Sequence, residues 1–324
     1  MEKHKQIKRN HHYVWSYYLK SWATGNNIFY ISKTGKIACD SVKGLAKETD
    51  FYKISTLNQK DIEFIKRILV KSPQFLQEIH MSYLDDFIKL SNFSGFISKV
   101  KNAPEELLSV QKAMEHNSLE NLHSFIEGTA VEVISKLAQG DSECLKSKNN
   151  MMAFCSYVGH QMSRIKSFKE KSIGAVRVNP DIGVEHKELK ELLALFEKNW
   201  WFLSFMFGTS IGYSLYESKD RDNHIFITNN TGHPFITSDH PVINVHSSLA
   251  LIPERKEPES ADFYIPLSPK YAYMINNSED YNHLAYSIGL DDVKKLNKKI
   301  INKSYRTVFG SSEAVLKIHN KRVN

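Results

Sequence analysis

Residues 200–216 read WWFLSFMFGTSIGYSLY, a run without one acidic or basic side chain. A bilayer needs roughly 17–25 apolar residues, so this run reaches only the lower edge of that range. Gly208, Gly212, Ser204, Ser210, Ser214 and Thr209 lower its hydrophobic drive further. It also continues an amphipathic pattern from Leu189, Leu192, Leu193 and Phe196. The expectation is a buried central helix with no membrane span. Working outward, helical periodicity runs with breaks from about Asn58 to Ser218. Ile62, Ile65, Ile68 and Leu69 mark one helix, and Leu119, Leu122, Ile126, Ala130, Val133 and Leu137 mark another. Pro104 followed by Glu105-Glu106 is a helix start, and Asp141 to Asn150 reads as a polar connection.

The flanks change period. Ile28 to Ile31 and Ile37-Ala38 are short strands around the turn Lys33-Thr34-Gly35-Lys36. On the other side, His224–Thr228, Phe235–Thr237, Val242–Val245, Tyr264–Leu267 and Tyr271–Ile275 read as strands. Asn229-Asn230-Thr231-Gly232 predicts a hairpin between the first two. Leu290 to Tyr305 predicts a basic helix, and Val308-Phe309 with Ala314–Ile318 predicts closing strands. The fold class expected is α+β: N- and C-terminal strands forming a mixed sheet packed against a long central helical region. The expected organisation is a single domain over 1–324, with a β-rich part at 1–55, a helical part at 56–218 and an α/β part at 219–324.

The composition is that of a folded globular chain, 41% hydrophobic and 24% charged. Its net charge is +7, with lysine concentrated at Lys3-Lys5-Lys8-Arg9 and Lys294-Lys295-Lys298-Lys299-Lys303-Arg306. Such runs suit a polyanionic partner, because cations meeting phosphates release condensed counterions, although solvated lysine faces are the plain alternative. Cys39, Cys144 and Cys155 are too few and too scattered for a disulfide framework or a four-cysteine zinc site. Their scarcity makes a reducing cytoplasm the expected location, and a polar, basic start with no apolar run after it does not read as a signal peptide. The Gly-rich nucleotide loops, His-Glu-x-x-His and Gly-x-Ser-x-Gly are all absent from the sequence.

Two polar motifs remain, His11-His12-Tyr13-Val14 and Thr237-Ser238-Asp239-His240-Pro241. Imidazole titrates near neutral pH and can serve as base, acid or metal ligand; adjacent side chains on a strand face opposite ways, so one of His11 and His12 reaches a given site. A carboxylate at a strand end, Asp239, can orient a histidine, hold a divalent ion such as Mg²⁺ or Mn²⁺, bind a ribose hydroxyl, or cap a turn. Between the motifs, Met151 to Lys171 predicts a helix with Gln161 on its apolar face and Arg164 at its edge. A buried guanidinium needs a partner, with Asp239, Glu127 or a bound phosphate as alternatives.

The chain resembles a bacterial family, domain of unknown function 4238. The likeness rests on His11-His12-Tyr13-Val14 with Tyr18-Leu19 and Trp22-Ala23, on Glu48 to Tyr52, and on Gln161-Met162-Ser163-Arg164. It continues through Phe235 to Pro241, and through Leu296-Asn297 with Tyr305 to Phe309. Trp15 stands where the family usually has proline, and His240 at a variable position. The resemblance supplies no activity.

These readings place His11, His12, Arg164 and Asp239 as candidate catalytic residues, with Tyr13, Gln161, Ser238, His240 and Asn297 contacting substrate. The function expected is a nuclease-like enzyme acting on RNA or DNA, a toxin or phage-defence effector whose partners are nucleic acid and a protein such as an antitoxin. The alternative is a non-enzymatic nucleotide- or protein-binding module. The two motifs are expected to meet in space.

Overall fold

The computed structural model describes residues 6–178, 186–250 and 260–319; Lys3 and Lys5 of the N-terminal basic run lie outside them. The chain begins with strands β1 (Asn10–His12), β2 (Asn27–Ile31), β3 (Ile37–Ser41) and β4 (Lys47–Thr49), with a short helix α1 (Ser16–Leu19) between the first two. Helices follow: α2 (Gln59–Leu69), α3 (Gln74–Ile97), α4 (Glu105–Gln139), α5 (Lys148–Ser163), α6 (Lys166–Val178), α7 (His186–Lys198) and α8 (Trp200–Ser218). Strands β5 (Asn223–Thr228), β6 (Thr237–Ser238), β7 (Ile243–Asn244), β8 (Asp262–Pro266) and β9 (Tyr271–Asn276) come next. The chain then forms α9 (Leu290–Lys303), β10 (Val308–Gly310) and α10 (Glu313–His319). Strands at both ends and a long helical centre make the fold α+β.

The N- and C-terminal strands do share a sheet, in the order β3-β2-β10-β6. β1 pairs with β4, and a further sheet runs β5-β9-β8-β7. Among the described residues the ladders are antiparallel, as suits strands joined by hairpins or returning from a distant part of the chain. The β2–β3 hairpin forms where its turn signal lies, Ile31 facing Ile37. Asn229 to Gly232 makes no hairpin. β5 instead forms a six-residue ladder with β9, while the chain leaves for β6 in the other sheet. Asn229 Oδ1 accepts from Thr231 N–H at 3.0 Å, an Asx turn that serves a crossover as well as a hairpin. Residues 314–318 are helical rather than extended: Ser312 Oγ caps Val315 N–H at 3.2 Å, and Lys317 pairs with Glu313 one turn back at 2.9 Å.

α8 is the expected buried helix, with Trp200 to Met206, Gly208, Gly212 and Leu215 buried. Among the described residues no helix is long and apolar enough to cross a membrane. α8 crosses α5 on glycines: a Cβ at Gly159 would overlap the main chain of Gly208 and Gly212, and one at Gly212 would stand 2.9 Å from Ser156 Cα. Gly159→Ala is therefore expected to force the helices apart and cost about 1–3 kcal/mol, read as a lower melting temperature, although alanine is the better helix former.

The expected helix over 151–171 breaks at Arg164, whose φ of −88° and ψ of −3° end α5. α6 starts two residues later in a new direction. Of the expected polar connection before it, Glu143–Lys146 forms a 3₁₀ turn and Lys148 already opens α5. The elbow between α5 and α6 is where the two polar motifs arrive.

Candidate functional site

His11 and His12 face opposite ways from β1. His11 is fully buried, and its Nδ1 accepts from the Tyr52 amide at 2.8 Å. Nε2 must then carry the proton, which it donates to the Lys8 carbonyl at 2.8 Å. Both ring nitrogens are thus committed to main chain, and the ring stacks on Tyr52 at 5.7 Å. His12 is partly buried, its Nε2 lying 3.3 Å from the Lys43 carbonyl. Burial lowers the pKa of both imidazoles.

Gln161 and Arg164, one turn apart at the end of α5, grip the next residues of the motif. Gln161 Nε2 donates to the Tyr13 carbonyl at 2.9 Å, and its Oε1 accepts from the Trp15 amide at 3.4 Å and from Arg164 Nη2 at 2.8 Å. Arg164 Nη1 pairs with Glu127 of α4 at 2.6 Å, and the Arg164 carbonyl accepts from the Tyr52 hydroxyl at 3.3 Å. Burial is the largest influence and works against the Arg164 charge, but Glu127 and the Tyr52 and Tyr157 phenols together outweigh it and raise the guanidinium pKa. Two turns before Glu127, Glu120 is lifted to about 7 by burial, with Arg164 opposing the rise and Glu127 adding to it. Outside this network Lys166 pairs with Glu48, and its ammonium lies 4.9 Å over the Tyr13 ring.

Asp239 turns to the segment between α9 and β10. Its Oδ1 accepts from the Tyr305 amide at 2.8 Å, and its Oδ2 from the Arg306 and Thr307 amides at 2.7 and 3.1 Å. Burial pushes this carboxyl up and the three amides oppose it. Ser238 Oγ closes a local turn with the amide and carbonyl of His240, both at 3.1 Å. His240 Nδ1 lies 3.1 Å from the Lys303 carbonyl and 3.2 Å from Ser167 Oγ; a carbonyl only accepts, so Nδ1 carries the proton. Burial lowers the His240 pKa to about 4. Asn297 of α9 is buried away from these groups, bonding the Ile236 amide at 3.1 Å and the Pro234 carbonyl at 2.9 Å.

The segments that carry the two motifs do meet, through Tyr18 and Trp22 downstream of the histidines. The Tyr18 hydroxyl bridges Thr237 Oγ1 at 2.8 Å and the Pro266 carbonyl at 2.7 Å, and Trp22 Nε1 donates to the Phe235 carbonyl at 2.8 Å. After burial itself, the Asp239 charge is the chief reason the Tyr13 phenol pKa is raised. His11, Gln161, Arg164 and Asp239 are each at most 2% exposed, so the network is closed to solvent. Among the described residues no three His, Cys, Asp or Glu side chains are grouped to hold a metal ion. Asp239, the expected metal ligand, directs both oxygens at amides.

Two open clefts lie beside the Asp239-held segment. One shallow cleft of about 450 Å³ is lined by Ser167, Glu170, Lys171, Asn302, Lys303, Ser304 and Tyr305. Another of about 290 Å³ lies on the far side of the same segment, sharing Ser304 and Tyr305 and reaching Arg306. Sequence reasoning did not single out Glu120, Ser167 or Lys171. The spacing of Glu120, His123 and Glu127 on one helical face was a usable signal; Lys171 gave none before α9 was placed beside it.

The family described as a protein of unknown function, DUF4238, matches residues 10–314, and the chain belongs to it. The match spans both motifs and the helices between them. No curated protein and no solved structure matches.

Proposed function

We propose that the protein is a cytoplasmic binding module for nucleic acid or a nucleotide, in which the histidine, arginine and aspartate motifs build the frame of the binding surface. The observation that carries this reading is closure: the polar atoms of His11 and Gln161 and both Asp239 oxygens are matched by protein groups, and each side chain is at most 2% exposed. A group that touches a ligand needs an open face. The +7 charge and the exposed Lys294, Lys295 and Lys298 of α9 supply attraction to a polyanion.

One observation favours a second reading, a nuclease-like enzyme suited to a toxin or phage-defence effector with a protein partner such as an antitoxin. Glu120, only partly buried and with its pKa near 7, suits a general acid or base, a role His11 and Asp239 are too enclosed to fill. Labelled single-stranded RNA, tRNA and single- and double-stranded DNA, each with Mg²⁺, with Mn²⁺ or with chelator, separate the two. The binding reading expects retention of at least one nucleic acid, intact, with affinity falling as salt rises. Cleavage abolished by Glu120→Gln at unchanged melting temperature would replace it with the enzyme. Neither binding nor cleavage would sink both.

A further inference from the structure

We infer that the cleft between α6 and the end of α9 is a phosphate-binding subsite, in which Lys171, Lys303, Ser167 and Asn302 receive the oxygens of one phosphate group. This deepens the binding reading, and rests on it only for the larger molecule that carries the phosphate.

The cleft brings together donors that lack acceptors. Lys171 and Lys303 both line it, and neither makes an ion pair or a side-chain hydrogen bond among the described residues. Lys171 is exposed at the rim of the cleft, and its pKa is lowered first by partial desolvation and then by the Lys303 charge. Two ammonium groups that face one cleft repel each other, and the arrangement gains most from an anion placed between them. Glu170, the cleft's carboxylate, is engaged by the Tyr305 hydroxyl at 2.5 Å.

Ser167 adds a directed donor. His240 Nδ1 carries a proton committed to the Lys303 carbonyl, so Ser167 Oγ, 3.2 Å away, can only accept from it. The Ser167 hydroxyl proton is left to point elsewhere, and the cleft that Ser167 lines is the open direction. The Asn302 amide contributes further N–H donors at the same rim. Two point charges, a hydroxyl and an amide match an acceptor-only group with several oxygens and about two negative charges. The segment carrying Tyr305 is held by the three amide bonds to Asp239, which fixes one wall of the cleft.

The test is titration of the full chain with inorganic phosphate, followed by ³¹P line broadening, and with a short oligonucleotide carrying either a 5′-phosphate or a 5′-hydroxyl, followed by fluorescence anisotropy. Lys171→Gln, Lys303→Gln and, as a control outside the cleft, Lys99→Gln at an exposed position just beyond α3 are compared with the parent. Phosphate is expected to bind the parent, at least tenfold more weakly to either cleft variant, and equally to the control. Melting temperatures of the cleft variants should be unchanged or raised, since a like-charge contact is removed. Preference for the 5′-phosphorylated oligonucleotide would identify a terminal phosphate as the ligand; equal binding would identify the backbone diester. Equal weakening by all three substitutions, or no phosphate binding by the parent, overturns the subsite. Oligonucleotide binding indifferent to Lys171 and Lys303 would overturn it and leave the binding reading standing. Phosphate binding without any oligonucleotide binding would do the reverse.

Discussion

Arg164→Ala is expected to destabilise the protein by about 3–5 kcal/mol, the cost of leaving a buried charge without its partner. The loss exceeds one ion pair because of what Arg164 joins. Its two terminal nitrogens hold Glu127 of α4 and Gln161 of α5, and Gln161 holds the main chain of Tyr13 and Trp15. Removing the guanidinium strands a carboxylate that is 15% exposed and frees the amide that fixes the N-terminal segment. Arg164→Lys should recover only part of the loss, since an ammonium cannot span both partners in the fork geometry. Pairing Arg164→Met with Glu127→Leu should recover most of it, because no uncompensated charge remains. Urea unfolding of the three variants checks the series. If Arg164→Ala unfolds at the parent's midpoint, the guanidinium is no structural tie, and the second reading gains the residue as an anion clamp.

The order of strands, helices and strands was legible because periodicity is a local property: Ile28 to Ile31 and the 119–137 stripe each declare their period without help from elsewhere. The N-cap at Asn58 also fell where helical periodicity began, its side chain and that of Asp61 satisfying each other's amides at 3.1 and 2.8 Å. What failed was either ambiguous locally or decided at a distance. Ala314 to Ile318 is short and apolar enough for either structure, and the Ser312 cap chose the helix. The Asn229–Gly232 turn carries the chemistry of a hairpin, yet the partner of β5 is β9. At the site, Asp239 read equally as cap or active group until the amides of residues 305–307 arrived beside it. Arg164 had its true partner, Glu127, among its alternatives. The Lys171–Lys303 cleft was illegible because its walls come from α6 and α9, far apart in sequence.

Acidification should unfold the protein between about pH 6.5 and 4, through histidines buried neutral. In the unfolded chain a histidine titrates near 6.5; burial lowers His80 to about 4 and His160 to about 3, and holds His123 well below its usual value. Within that window the unfolded state binds more protons, so each such histidine removes about 1.4 kcal/mol of stability per pH unit as pH falls, and restores it as pH rises. Glu120 acts in the other sense. Its folded pKa near 7 lies above the ordinary value of 4.5, so its burial costs stability at neutral pH and that cost is relieved on acidification through the same range. The lowered histidines, which include His240 and His319 at about 4, outnumber Glu120 and the other carboxyls that burial raises, Glu127 and Asp239, and below about pH 4.5 they act unopposed by Glu120. His123 is the informative substitution. It is 2% exposed, neither ring nitrogen has a hydrogen-bond partner among the described residues, and it packs on Tyr52, His160 and Phe205 at 4.6, 5.7 and 5.9 Å. His123→Phe keeps an aromatic ring there and removes two unsatisfied nitrogens, so the variant should be at least as stable as the parent at pH 7.5 and lose stability less steeply toward pH 5. Urea midpoints at half-unit pH intervals measure both slopes. Parallel curves for parent and variant would mean that His123 does not titrate on unfolding, and that protonation of other groups drives the acid transition.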